Sequence, residues 1–167
     1  ISSGNCQALA PIAEELKQFT IFATCGTPRI FEEAERKYVF RTMGHATSDN
    51  VAAAMYVKEN FPDTKGYTGI NQNYAWGQDS WRDFDLTMKQ IMPNTKASEN
   101  TQFPKIFAGQ YGSEISAMSL DEADLVHSSF WGGDLEAFIF QGAARGLFKE
   151  KIGVVTVGGT AAYRLGK

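Results

Sequence analysis

The sequence has little of what usually announces a chemistry. Its 167 residues include only two cysteines and two histidines. Two cysteines are too few for a disulfide scaffold, and no Cys/His cluster has zinc spacing. Basic residues do not predominate: 16 Lys and Arg stand against 19 Asp and Glu, a net charge of −3. That balance leaves no electrostatic footprint for nucleic acid. No apolar run approaches the length that spans a bilayer; Ala137–Phe140 is typical. There is no low-complexity tract and no short-period repeat. The opening Ile1–Ser2–Ser3–Gly4–Asn5 reads as a strand end plus loop, not as a signal peptide.

Catalytic fingerprints are missing as well. No G-x-G-x-x-G follows a strand-like run, and no G-x-S-x-G elbow occurs. Gly159 and Gly166–Lys167 imitate a P-loop, but the two outer glycines are too far apart. His127 precedes Ser128 and Ser129 on a β-prone run, where chain neighbours point to opposite faces and form no triad. His45 reads as a solvated or hinge residue, and Glu32, Glu33 and Glu35 as a solvated helix face. With no set of side chains in complementary roles, an enzyme is not expected, nor a cofactor or a metal ion.

What is present is alternation. Hydrophobic residues make up 43% of the chain and charged residues 21%, enough for one domain with a real core. Strand-like runs occur at Thr20–Thr24, Tyr38–Thr42, Tyr67–Asn71, Asp124–Ser129 and Ile152–Val157. One edge strand is expected near Ala97–Gln102. Helices are expected over 6–19 with Asn5 as cap, over 48–60, from Asp79–Ser80 onward with Trp81, Phe84, Met88 and Ile91 inward, over 113–119, and after Asp134. Pro11 fits the first helix only if that helix begins late. Strands alternating with helices predict an α/β fold, a mainly parallel sheet with helices on both faces.

In such sheets ligands bind outside the carboxyl ends of the strands. The loops falling there are Ser2–Asn5, Cys25–Pro28, Asn71–Gln78, Phe130–Asp134 and Gly158–Tyr163. They combine Ser, Thr, Asn and Gly with Tyr74, Trp76, Phe130 and Trp131, a lining suited to a small ligand. Helix N-termini behind them favour an anion. Cys6 and Cys25 follow successive strand ends. Each is either a buried small residue or, in an oxidising compartment, half of a disulfide.

Several of these segments, in this order, resemble the type I periplasmic solute-binding proteins of ABC importers, in the branch that binds leucine, isoleucine and valine and related amides or small acids. The marks are Ser2–Ser3–Gly4–Asn5, Gly26–Thr27–Pro28, Val39–Phe40–Arg41–Thr42, Asn73–Tyr74–Ala75–Trp76–Gly77–Gln78 and Gly142–Ala143–Ala144–Arg145–Gly146–Leu147. The resemblance implies two lobes closing on a ligand, with residues 1–41 the tail of lobe 1 and 42–167 most of lobe 2. It implies an interior piece of a longer chain, one that exposes surface and is expected to self-associate when isolated. Ligand-binding positions carried over are Ser2, Ser3, Gly26 and Thr27 for a carboxylate, Tyr74, Trp76 and Trp131 as covering groups, and Thr160. Amino-acid binders of the family place an acid after the strand matching Ile152–Val157. Here that place reads Val157–Gly158–Gly159–Thr160, which argues against an α-amino-acid ligand because a buried ammonium needs a carboxylate partner. The implied ligand is a branched-chain or other amino acid, an amide, or an aromatic or small organic acid; the missing acid favours the amide or organic acid, and two tryptophans suit either a flat apolar body or a pocket shrunk for something small. The implied partners are the importer's membrane subunits, and the implied location is the periplasm or a lipid anchor at the cell surface. A sensor or regulator of the same fold is the alternative reading.

Overall fold

The computed structural model describes residues 2–165, the side chains of Thr160, Arg164 and Leu165 excepted. In chain order its elements are α1 (Ser3–Glu15), β1 (Thr20–Phe22), α2 (Arg29–Glu32), β2 (Val39–Arg41), α3 (Ala46–Asn60), β3 (Gly66–Ile70), α4 (Ala75–Ile91), β4 (Lys96–Ala97), α5 (Gly112–Ser119), β5 (Leu125–Ser128), α6 (Gly132–Ala144), α7 (Leu147–Glu150), β6 (Ile152–Val155), a 3-10 turn (Gly158–Thr160) and α8 (Ala162–Leu165). Two sheets form, and every ladder in them is parallel. One pairs β1 with β2; the other has the order β4-β3-β5-β6.

Period-two alternation sorts the larger sheet's side chains between two cores. Tyr67, Leu125 and Val154 face α3 and α4, where they meet Ala54, Val57, Phe84 and Met88. Ile70 and Val126 face the other way, onto Ile115, Met118, Leu135, Phe138 and Leu147. Helices therefore cover both faces, and the expected α/β class is the observed one. The smaller sheet has its own core of Cys6, Ala10, Phe22, Cys25, Ile30 and Val39. Outside that core lies an apolar face. Leu9, Ile12, Leu16, Phe19, Ile21 and Phe40 are all exposed, and Phe19 and Phe40 shelter each other with ring centroids 5.4 Å apart.

Several local expectations need correction. Helix α1 begins at Ser3 because Ser2, not Asn5, caps it: the Asn5 N–H donates to Ser2 Oγ at 3.4 Å. Pro11 therefore lies inside the helix, on its exposed side. The buried stripe of α1 is Ser3, Cys6 and Ala10, while Leu9, Ile12 and Leu16 point outward. In α3 the inward residues are Asn50, Ala54 and Val57, and Met55 is exposed. Helix α4 starts at Ala75, four residues earlier than expected, so Trp76 belongs to its first turn. The edge strand is only Lys96–Ala97; the chain returns to the sheet edge at Gln102, bridged to Ile70. Trp131, not Asp134, is the N-cap of α6, and Gly146 follows its C-terminus in the left-handed region at φ 81°.

Cys6 and Cys25 are joined as a disulfide, with Cα atoms 6.2 Å apart, tying α1 to the loop after β1. The bond closes a loop with a sequence separation of 19. Removing it by Cys6→Ala/Cys25→Ala is expected to cost ~3 kcal/mol, as for loops of similar size. Urea denaturation with and without reductant checks this; a midpoint indifferent to reduction would show the pair contributes nothing.

Candidate functional site

The N-termini of three long helices meet at one cleft. The N-cap residues are Ser2 for α1, Tyr74 for α4 and Trp131 for α6. All three line a cleft of about 370 Å³, together with Ser3, Thr24, Gly26, Met43, Trp76 and Val157. No side chain caps α4 or α6. A helix start carries unpaired N–H groups and the positive end of the helix dipole. The lining residues include no ionised side chain. The cleft is thus mostly apolar and lightly positive, and its polarity comes from hydroxyls and helix starts.

The hydroxyls are set to donate. Ser3 Oγ accepts from the Thr27 N–H at 3.2 Å, and Ser2 Oγ from Asn5. Neither hydroxyl donates to another described group, so each keeps a proton for the cleft. Tyr74 Oη accepts from the Trp131 indole N–H at 2.9 Å and likewise donates to no described group. Burial pushes the Tyr74 phenol up to about 12; the Trp131 bond works in the opposite direction, and the charge of Asp134 adds to the rise. Tyr74 therefore stays protonated across the neutral range.

The two tryptophans differ in placement. Trp76 is 5% exposed, and its indole N–H donates to the Ser129 carbonyl at 2.9 Å. Its six-membered ring lies against Gly26, where a Cβ built on the glycine would sit 2.2 Å from Trp76 Cζ3. Trp131 is half-buried and meets Phe107 edge-on, with centroids 5.7 Å apart. Trp76 is a wall joining two strand ends, and Trp131 is the more accessible ring.

Behind that wall runs a buried polar chain. Asn71 Oδ1 accepts from the Ser129 N–H at 2.9 Å and from its hydroxyl at 2.6 Å. Asn71 Nδ2 lies 3.4 Å from His127 Nδ1, and His127 Nε2 lies 2.7 Å from Asn50 Oδ1. Since an amide nitrogen can only donate and an amide oxygen only accept, the network assigns the ring proton to Nε2. The His127 ring stacks on Phe84 at 4.2 Å. Burial drives its pKa down to about 3, so His127 is neutral.

Six of the eight positions named from the sequence thus meet in one cleft: Ser2, Ser3, Gly26, Tyr74, Trp76 and Trp131. Thr27 does not line it. It is fully buried, its N–H is given to Ser3, and its hydroxyl donates to Asp79 Oδ2 at 2.7 Å. Both of its groups that would hold a carboxylate are engaged elsewhere. Thr160 closes the 3-10 turn, but its side chain lies outside the described residues. Thr24, Met43 and Val157 were not foreseen; Met43 follows the Phe40–Arg41–Thr42 segment, whose approach to the cleft only the tertiary fold shows. Among the described residues no acidic and histidine cluster is arranged to hold a metal ion, and no helix is long and apolar enough to cross a membrane.

The fold is a parallel α/β one with a cleft at its strand ends. The profile of the periplasmic binding protein family matches residues 1–166, and the chain belongs to that family. No curated protein matches it in sequence. Solved structures share its fold. One is an ABC-transporter solute-binding protein from Rhodopseudomonas palustris in complex with 3,4-dihydroxybenzoic acid, at TM-score 0.76 and 20% identity, covering 91% of this chain and 41% of that one. A second from R. palustris, in complex with benzoate, has TM-score 0.77 and 22% identity, covering 87% and 39%. A leucine-binding protein from Thermotoga maritima has TM-score 0.73 and 17% identity, covering 87% and 40%. The chain spans about two fifths of the length of these structures.

Proposed function

We propose that this chain forms much of the binding clamp of an extracytoplasmic solute-binding component of an ABC importer, and that its ligand is a small monocarboxylate with a flat apolar body. The observation that carries this is the convergence of three helix starts on an apolar cleft without an ionised side chain. Helix starts and the hydroxyls of Ser2, Ser3 and Tyr74 suit a carboxylate. Trp131, Trp76 and Met43 suit a ring. Among the described residues no carboxylate lines the cleft to receive an ammonium, which counts against leucine and other zwitterions. The benzoate complexes of two structures with this fold favour the same ligand class. Residues 1–41 form the tail of one lobe and 42–167 most of the other, and binding works by shifting the population toward the closed form.

Fluorescence titration of the full-length protein with benzoate, 4-hydroxybenzoate and leucine tests the reading. The benzoates are expected to bind and to change tryptophan emission, and leucine to do neither. Trp131→Leu is expected to weaken benzoate binding about tenfold, in line with losing a buried aromatic contact. Tight binding of leucine with indifference to both benzoates would overturn the ligand assignment.

A further inference from the structure

Helix α4 has two buried faces. One carries Trp81, Phe84 and Met88 onto the larger sheet. The other carries Trp76, Asp79 and Asp83, spaced three and four residues apart, and is polar below its tryptophan. Asp79 has no exposed surface, yet its closest partners come from the smaller sheet's unit. Thr27 Oγ1 donates to Asp79 Oδ2 at 2.7 Å. Arg29 reaches Asp79 Oδ1 with Nε at 2.8 Å and with Nη2 at 2.7 Å. Arg82, one turn along α4, adds a longer contact at 3.4 Å and gives its Nε to Asp83 at 2.7 Å. Gln78 Oε1 accepts from Arg29 Nη2 at 3.4 Å. The two units have separate cores, and this cluster bridges them beside the Trp76–Gly26 contact.

We propose that Asp79 is a positioning residue for ligand capture, a latch that holds the two units together through Thr27 and Arg29 without touching ligand. Burial excludes water from the carboxylate, so its two charged and hydroxyl bonds count for more than on a surface. Separation of the units would break both bonds and leave a carboxylate facing an opening gap, where water must replace them. The latch also decides which hydroxyl faces the cleft: Thr27 is turned to Asp79, and Ser3, bonded to the Thr27 N–H, is left to donate. Asp79 thereby sets both the closed population and the donor set.

The proposal rests on the two-lobe reading above, and a ligand-free measurement separates the two. Nitroxides on Glu33→Cys and Lys105→Cys, both exposed and one in each unit, report the inter-unit distance in the oxidised, intact protein by pulsed electron resonance. Asp79→Asn, Thr27→Val and Arg29→Ala are each expected to lower the short-distance population at least about tenfold relative to the long one, as losing one hydrogen bond to a charged group does. Arg29→Lys, which keeps the charge without the fork, is expected to recover part of it. Gly26→Val serves as a wedge that parts the units independently of the latch. If the wedge lengthens the distance and the three latch variants do not, the latch is wrong. If nothing lengthens it, the two-lobe clamp itself fails, and the latch with it. Should Asp79→Asn not fold, Thr27→Val and Arg29→Ala decide alone, since Arg29 is partly exposed and Thr27→Val preserves volume. Failure of the benzoates to bind leaves these distances untouched and bears only on the ligand.

Discussion

Replacing Gly26 by valine is expected to lower affinity for a benzoate probe about 100-fold while shifting the melting temperature by only a few degrees. The site leaves no room for the substitution. A Cβ at Gly26 would lie 2.2 Å from Trp76 Cζ3 and 2.5 Å from Cε3. The indole cannot step aside without losing its bond to the Ser129 carbonyl. The glycine is held too. Its own carbonyl accepts from Ala46 N–H at 2.8 Å, and Arg41 donates to the flanking carbonyls of Cys25 at 3.3 Å and Thr27 at 2.7 Å. Overpacking a site that cannot relax costs roughly 1–3 kcal/mol, and each 1.4 kcal/mol is tenfold in binding. Because relief comes by parting the two strand ends, the cost falls mainly on the cleft and less on either core. Gly26→Ala is expected to show the same effect more weakly. Affinities for both variants within twofold of the parent would refute the contact's role.

Acidification is expected to destabilise the fold through His127. Its folded pKa lies near 3 and its unfolded value near 6.5. Between those values the unfolded chain holds a proton that the folded chain refuses, so stability rises with pH there and is complete above about 6.5. Going downward, the loss is roughly 1.4 kcal/mol per pH step and several kcal/mol in all by pH 3. Surface carboxylates also titrate in acid, so the informative quantity is a difference. The stability gap between the parent and His127→Gln, measured by urea denaturation, is expected to narrow steadily from pH 6.5 to pH 4. A gap that stays constant over that range would remove His127 as the cause. A proton on His127 would also forbid the Asn71 contact, and through Asn71 and Ser129 it would loosen the seat of Trp76.

The sequence reveals the strands more fully than the helix starts. Runs such as Thr20–Thr24 and Ile152–Val157 are rich in β-branched residues, and strands form within them although only Phe22 and Val154 of these runs are buried. Helix α4 is different. Its cap is Tyr74, whose side chain makes no capping bond, so the familiar Asp–Ser signature, which opens the second turn at Asp79–Ser80, places the start too late. In α1 the large apolar residues Leu9, Ile12 and Leu16 stand at helical spacing, the pattern of a buried face, yet they are exposed. The small residues Ser3, Cys6 and Ala10 take that place, because α1 lies close against a two-stranded sheet and a disulfide. For the site, topology puts the strand-end loops on one edge, and the family resemblance picks out within them the six residues that line the cleft. Neither gives the tie from Thr27 and Arg29 to Asp79. Charged residues some fifty positions apart look like solvated surface until the packing of α4 against the smaller unit brings them together.

That every ladder is parallel has a kinetic consequence. Among the described residues no two strands can zip from a tight turn, so they form no hairpin nucleus, and each pairing must wait for an intervening helix. Tyr67 meets Leu125 only after α4 and α5 have been laid down between them. Chains of this kind fold slowly for their size, because loop closure must come before any strand contact rewards it. The larger sheet, with β3 and β5 each flanked on both sides, is then the last structure to open, while the Cys6–Cys25 bond holds α1 beside the end of β1 and leaves the closure between β1 and β2 unaided.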